Sequence, residues 1–346
     1  MPGRSGRLRV PIPDPPLPRT ARIPADPMSH DLLTPGATVS GRYRIAGPAD
    51  GAFRAADTST GREVVLRAFA TADWGAEEHD GFRRRASAAS LLEHPHVAAM
   101  LDTGADEALG LAWVVWEARA GESLASLLAQ RGTPPAAQAL RIVREAAAGV
   151  AAGHGAGIVH GEVHPGTLFL SRGEEDRRMR VRVLGFGGGA GIAVRSAAAR
   201  YASPEALRRQ ALLPAADVFS LGVVAYELLA GLPPQWGATL AALARGQAAA
   251  IPSPRELRPD VPEALAAAVL RALEPDPARR WPDAAAFAEA FTPAAPAAPP
   301  PAPSAAAHVY AARRAPRFVQ PARGPNPALI AGGAAALLAL CAWAVI

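Results

Sequence analysis

The chain has 346 residues, half of them apolar, which is long enough for a sizeable core and too apolar for an intrinsically disordered protein. It contains no lysine, so arginine alone carries the basic charge, and the net charge of +5 with few interleaved aromatics argues against a nucleic-acid reader. Cys341 is the only cysteine, which excludes an internal disulfide framework and a cysteine-based metal site.

Residues 1–38 carry basic and proline residues but no apolar run, so they read as a disordered Pro/Arg-rich tail rather than a secretory signal, with Met28 as a second candidate start. From 41 to 70 the pattern GRYRIAG, AFRAADTST, GREVVLRAFA alternates and turns at 58–61, predicting consecutive antiparallel strands. A helix is expected over 77–93, then strands over 97–102 and 109–117. The chain then turns helical, at 123–129 and in a long helix after Pro134 and Pro135 with Leu140, Val143, Ala147 and Val150 on one side. The stretch GIVHGEVHPGTLFL, 157–170, reads as a strand, a tight polar loop and a second strand, with a third strand at 180–184. Further helices are expected at 216–230, with Leu221, Val224, Ala225 and Leu228 facing one way, and at 236–245, 262–273 and 282–291. A sheet-rich first lobe thus joins a larger helical lobe near 117–121, and a cleft between them is the default site.

Residues 292–326 form a Pro/Ala/Arg-rich linker that cannot build a core. The uncharged segment 327–346 has the length of a bilayer-spanning helix, with a buried C-terminal helix as the alternative. Arg313, Arg314, Arg317 and Arg323 precede it, which by the positive-inside tendency keeps the large domain in the cytoplasm. The chain is expected to be either tail-anchored or the front part of a longer protein.

Seven segments in order make a more specific pattern: GREVVLR at 61–67, LEHPHV at 92–97, GIVHGEVHPGTLFL at 157–170, LGFG at 184–187, YASPEAL at 201–207, DVFSLGVVAYELLAGLPP at 217–234 and LEPDPARRWPD at 273–283. Together they resemble the bacterial eukaryotic-like Ser/Thr protein kinases. The resemblance implies an α+β, two-lobed protein-kinase-like fold over 39–291, with a small β-rich lobe at 39–117 and a helical lobe at 121–291.

Phosphoryl transfer needs a cation on the phosphates, metal ions bridging them and a carboxylate for the hydroxyl proton. By resemblance, Arg67 stands at the catalytic-lysine position and Arg85 at that of the helix glutamate that pairs with it, so two guanidiniums are expected to repel there. Glu162 stands at the catalytic-base position, one methylene longer than the family's aspartate, and His164 replaces its lysine. Thr167 and Gly185 stand where the two metal ligands belong, so neither position offers a carboxylate or amide. The phosphate-covering turn AGPADGAF, 46–53, retains only Gly47 and Gly51, and Pro48 and Asp50 disfavour phosphate. His160, Asp217 and the pair Glu205 with Arg280 match the family's framework positions. In 187–203, Ala198 takes the place of a substrate-recognising threonine, Ser196 is the central hydroxyl, and Gly187, Gly188, Gly189 and Gly191 imply mobility.

The expectation is a membrane-tethered pseudokinase acting as a cytoplasmic binding or scaffold module for a protein partner, such as an active kinase or a phosphopeptide-binding protein. No cofactor or metal is assigned, apart from weak or metal-independent ATP binding. A divergent Ser/Thr kinase and a nucleotide sensor are the alternatives. His160, Glu162 and His164 as a metal site lack a matched third ligand. FRRRAS at 82–87 is either a solvated helix face or a site for an anionic partner or phosphopeptide. Trp113 and Trp116 either line an adenine pocket or pack in the core.

Overall fold

The computed structural model describes residues 33–49, 51–172, 178–188, 197–234, 240–245 and 251–292. These belong to one of two compact units, 1–293; the second, 294–346, which holds the expected membrane-spanning segment, lies outside the described residues. Among the described residues no helix is long and apolar enough to cross a membrane.

The small lobe is built on strands β1 (Thr38–Val39), β2 (Tyr43–Ala49), β3 (Ala52–Asp57), β4 (Glu63–Ala70), β5 (Met100–Asp106) and β6 (Leu111–Glu117), ordered β1-β2-β3-β4-β6-β5 and antiparallel throughout. Helix α1 (Ala76–Ala89) covers one face. The strict in-and-out alternation of β2 holds because only one of its faces is buried. Strand β6 breaks that rule, with Leu111 to Trp116 all buried. Leu111, Trp113 and Val115 pack with Tyr43, Ile45 and Leu66, whereas Ala112, Val114 and Trp116 pack with Phe69 of β4 and Phe82 of α1. Both tryptophans are therefore core residues; Trp113 stands edge-on to Tyr43 at 5.2 Å.

The folded part reaches further back than residue 39. Leu33 is buried in the small-lobe core, and the Gly36 and Ile45 N–H groups donate to the carbonyls of Ile45 and Ala37, so 33–38 belong to the sheet's edge rather than to a tail. Helix α1 ends four residues before 93, where the Ser90 hydroxyl donates to the Ser87 carbonyl. Strand β5 begins three residues later than expected. The backbone at 96–98 is spent across the lobes, Val183 N–H donating to His96 and Ala98 N–H to Val183.

The large lobe comprises β7 (Gly121–Ser123), α2 (Leu124–Arg131), α3 (Ala136–Gly155), β8 (Leu168–Arg172), β9 (Met179–Val183), α4 (Pro204–Leu207), α5 (Pro214–Ala230), α6 (Leu240–Ala244), α7 (Pro254–Leu257), α8 (Glu263–Ala272) and α9 (Ala284–Glu289). Its small sheet runs β7-β8-β9. Ser123 caps α2 by accepting from Ser126 N–H. Helix α5 is buried on all sides, not on the one side its leucines suggested, because α3, α7, α8 and α9 surround it.

Candidate active site

The beginning of 157–170 does not form the expected strand; only its far end does, as β8. The reason is a competing acceptor. Asp217, near the start of α5 and buried, takes the N–H groups of His160 and Gly161 on its two oxygens at 2.7 Å each, and His154 Nε2 meets the same carboxylate at 2.9 Å. Backbone donors that a ladder would have used are tied to a side chain from the middle of the lobe.

His160 is equally committed. Its Nδ1 accepts from Glu162 N–H at 3.2 Å and its Nε2 donates to the Leu184 carbonyl at 2.8 Å, the tautomer these two partners require. Burial holds its pKa below the ordinary histidine value, outweighing the nearby Asp217 carboxylate, so the ring is neutral. Phe186 stacks edge-on against it at 4.8 Å.

From this loop Glu162 points across to the small lobe. Both its oxygens meet the guanidinium of Arg67 on β4, at 2.5 and 2.8 Å, with side chains 2% and 14% exposed. Burial alone would raise the Glu162 carboxyl, but the charge and hydrogen bonds of Arg67 hold it below the usual carboxylate value. The expected clash of Arg67 with Arg85 does not arise. Arg67 is turned to Glu162 and over the Phe69 ring, while Arg85 lines a separate cleft with 157–159 and 210–212. The pairing of the cation on β4 with the carboxylate of the loop could not be read from spacing, since 95 residues separate them.

The two expected ligand positions can be tested for a divalent cation. Thr167 is buried, and its hydroxyl donates to the His164 carbonyl at 2.9 Å and accepts from His164 N–H, closing the loop on itself. Gly185 has a φ of +109°, and a Cβ there would lie 3.1 Å from the His160 ring. Glu162 is already bound to Arg67. Among the described residues no group of three His, Cys, Asp or Glu side chains could hold a metal ion, and the donors present at these positions do not fit one.

Gly187 and Gly188 do not loosen the chain as expected. A Cβ on Gly187 would meet Met100 at 2.7 Å and Ala86 of α1 at 3.0 Å, and one on Gly188 would meet Phe69 at 2.8 Å, so this run is wedged between α1 and the sheet. Ala198 is buried; Gly189, Gly191 and Ser196 lie outside the described residues. Around Gly47 and Gly51, strands β2 and β3 stay paired up to Ala49 opposite Ala52, and Asp50 lies outside the described residues.

The last of the expected framework residues is the most completely satisfied. Arg280 is fully buried, and its five N–H donors meet Glu205 at 2.6 and 2.9 Å and the carbonyls of Glu274, Ala215 and Pro275. Burial pushes the Glu205 carboxyl up, but Arg280 more than offsets it and holds the group below its ordinary value.

This architecture has known counterparts. The chain is 29% identical over 309 residues to the serine/threonine-protein kinase PknA of Mycobacterium tuberculosis, covering 84% of this chain and 66% of PknA. It is 34% identical over 216 residues to PknB of Mycobacterium leprae, covering 59% of this chain and 34% of PknB. With PrkC of Bacillus subtilis it shares 26% over 262 residues, 71% of this chain and 39% of PrkC. The chain thus spans just under two thirds of PknA, about a third of PknB and about two fifths of PrkC. The crystal structure of the Mycobacterium tuberculosis PknI kinase domain has the same two-lobed fold, with a TM-score of 0.59 at 24% identity over 75% of this chain and 98% of that one. The family model described as the protein kinase domain matches residues 47–291, and on that match the chain belongs to the protein kinase domain family.

Proposed function

We propose that this protein kinase domain works as a non-catalytic binding module, tethered to the cell membrane through 327–346 with the domain in the cytoplasm, and that it engages a protein partner. The observation that carries the reading is the bidentate pair of Arg67 with Glu162. It ties the cation that should hold phosphate to the carboxylate that should accept the hydroxyl proton, so each neutralises the other. Gly185 and Thr167 add no seat for the ion that would offset a triphosphate's charge.

The second reading is a divergent Ser/Thr kinase, and the kinship itself speaks for it, because PknA and PknB are named as serine/threonine-protein kinases. In that case Glu162 acts as base once nucleotide draws Arg67 away. Thermal melting of the full chain with ATP, alone and with Mg²⁺ or Mn²⁺, and radiolabelled autophosphorylation with Glu162→Gln as control separate the two. A binding module gives no metal-dependent rise in melting temperature and no label. A metal-dependent rise without label points to a nucleotide sensor. Label that disappears in Glu162→Gln overturns the proposal and establishes the kinase.

A further inference from the structure

The Arg83, Arg84 and Arg85 run on α1 is not absorbed by the site above, and its members have different surroundings. Arg83 is exposed and pairs with Asp80 at 2.7 Å. Arg84 and Arg85 make no hydrogen bond or ion pair among the described residues, and Arg85 Nε is buried without a partner. Both guanidiniums fold back over Gly81, where a Cβ would lie 3.0 Å from Arg85 Nη1 and 4.0 Å from Arg84 Nη2, so two like charges converge on one spot. Burial, with Arg84 adding repulsion, pushes the Arg85 guanidinium below its ordinary pKa.

These two side chains line an open cleft of about 480 Å³ between α1 and the large-lobe segments 157–159 and 210–212. Its lining contains no carboxylate; the remaining polar side chain is the Gln210 amide, and Ala88, Ile158 and Leu212 supply apolar walls. A buried donor on a charged group left unpaired is costly, and the repulsion adds to it. A phosphate group at this point would satisfy Arg85 Nε, neutralise both cations with its double charge and offer pairs of acceptor oxygens that guanidinium forks bind bidentately. The cleft is also roomy enough for the carbon chain carrying that anion to lie along the apolar wall.

We infer that the cleft between α1 and 210–212 is a binding site for a phosphate monoester, held by Arg84 and Arg85. It is separate from the Arg67–Glu162 cleft, and none of its lining residues belongs to that pair. The phosphate belongs either to a phosphorylated protein segment or to a small phosphorylated compound, and titration distinguishes the sources.

The test is calorimetric titration of the full chain with inorganic phosphate, O-phosphoserine, a phosphoserine peptide and its unphosphorylated twin. Saturable binding of the phosphopeptide well above that of phosphoserine assigns a protein source, and comparable binding of both assigns a small-molecule one; either supports the site. Arg85→Gln and Arg84→Gln should each weaken binding about ten- to a hundredfold, as expected for loss of a charged hydrogen-bonding partner, and Arg85→Lys should lose less. Arg83→Gln should change nothing. Circular dichroism checks each variant's fold, and Arg84, being exposed, can be replaced without disturbing the core. No saturable binding of any phosphorylated probe, equal binding of the unphosphorylated twin, or equal losses in Arg83→Gln and Arg85→Gln would each overturn the inference.

Discussion

Two arginine–glutamate pairs in this molecule have the same bidentate chemistry and opposite placements. Arg280 with Glu205 lies inside the large lobe, 0% and 9% exposed, and every guanidinium donor is matched. Arg67 with Glu162 bridges the lobes, 14% and 2% exposed, in the cleft where the family resemblance puts chemistry. The first joins elements of one lobe and contributes to holding it together. The second joins two bodies whose relative motion a kinase needs, so its contribution to stability is also a constraint on function. A buried ion pair can therefore be framework or latch, and only its connections distinguish the two.

The largest expected effect lies in the framework pair. Arg280→Met strands Glu205 as a buried charge and should cost about 3–5 kcal/mol, read from the midpoint of urea unfolding. A loss below ~1 kcal/mol would remove the contrast between the two pairs. Next, Arg67→Met should cost about 2–3 kcal/mol, because Arg67 is partly open to water, and Arg67→Met/Glu162→Leu should recover most of that loss. If the double variant is no more stable than the single one, the two residues are not energetically coupled as the geometry implies.

Gly185→Asp sharpens the cleft side of the comparison. The left-handed backbone and the His160 ring oppose any Cβ at this position, so a loss of about 1–3 kcal/mol is expected, with no metal-dependent rise in melting temperature on adding Mg²⁺ and ATP. The smallest effect is in pH. Glu162 and Glu205 both have folded pKa values below the unfolded 4.5, so their contribution is fully present above that value and is lost as pH falls through the folded pKa values. Acid unfolding of Glu162→Gln should accordingly show a shallower fall in stability below pH 4.5 than the parent chain. An unchanged slope would mean that Glu162 does not titrate with unfolding.

Most of the small lobe was legible from alternation, because a sheet with one buried face writes a period of two into its residues. The turn at 58–61 joins the expected strands, and β4 begins two residues after it. Motif resemblance singled out His160, Asp217, Glu205 and Arg280, and in the structure Asp217 holds the His160 N–H while Arg280 pairs with Glu205. Misreadings arose where a backbone group had two possible partners. The run at 157–159 was apolar enough for a strand, and local sequence could not show that Asp217, tens of residues later, would claim the donors that follow it. Similarly, the expected strand began at Val97, but the backbone at 96–98 bonds to Val183 of the other lobe instead.

The sequence by itself determined which groups are present: a chain without lysine, Glu162 in the loop, Gly185 without a side chain, and three arginines in a row on α1. Tertiary structure alone decided how they are matched. It gave Arg67 to Glu162, Arg83 to Asp80, and left Arg84 and Arg85 facing a cleft without a carboxylate. The physical reason is that charge and helical or strand periodicity are local properties of the chain. Which opposite charge lies within 3 Å of a guanidinium depends on how two distant elements pack, and no pattern along one element records it.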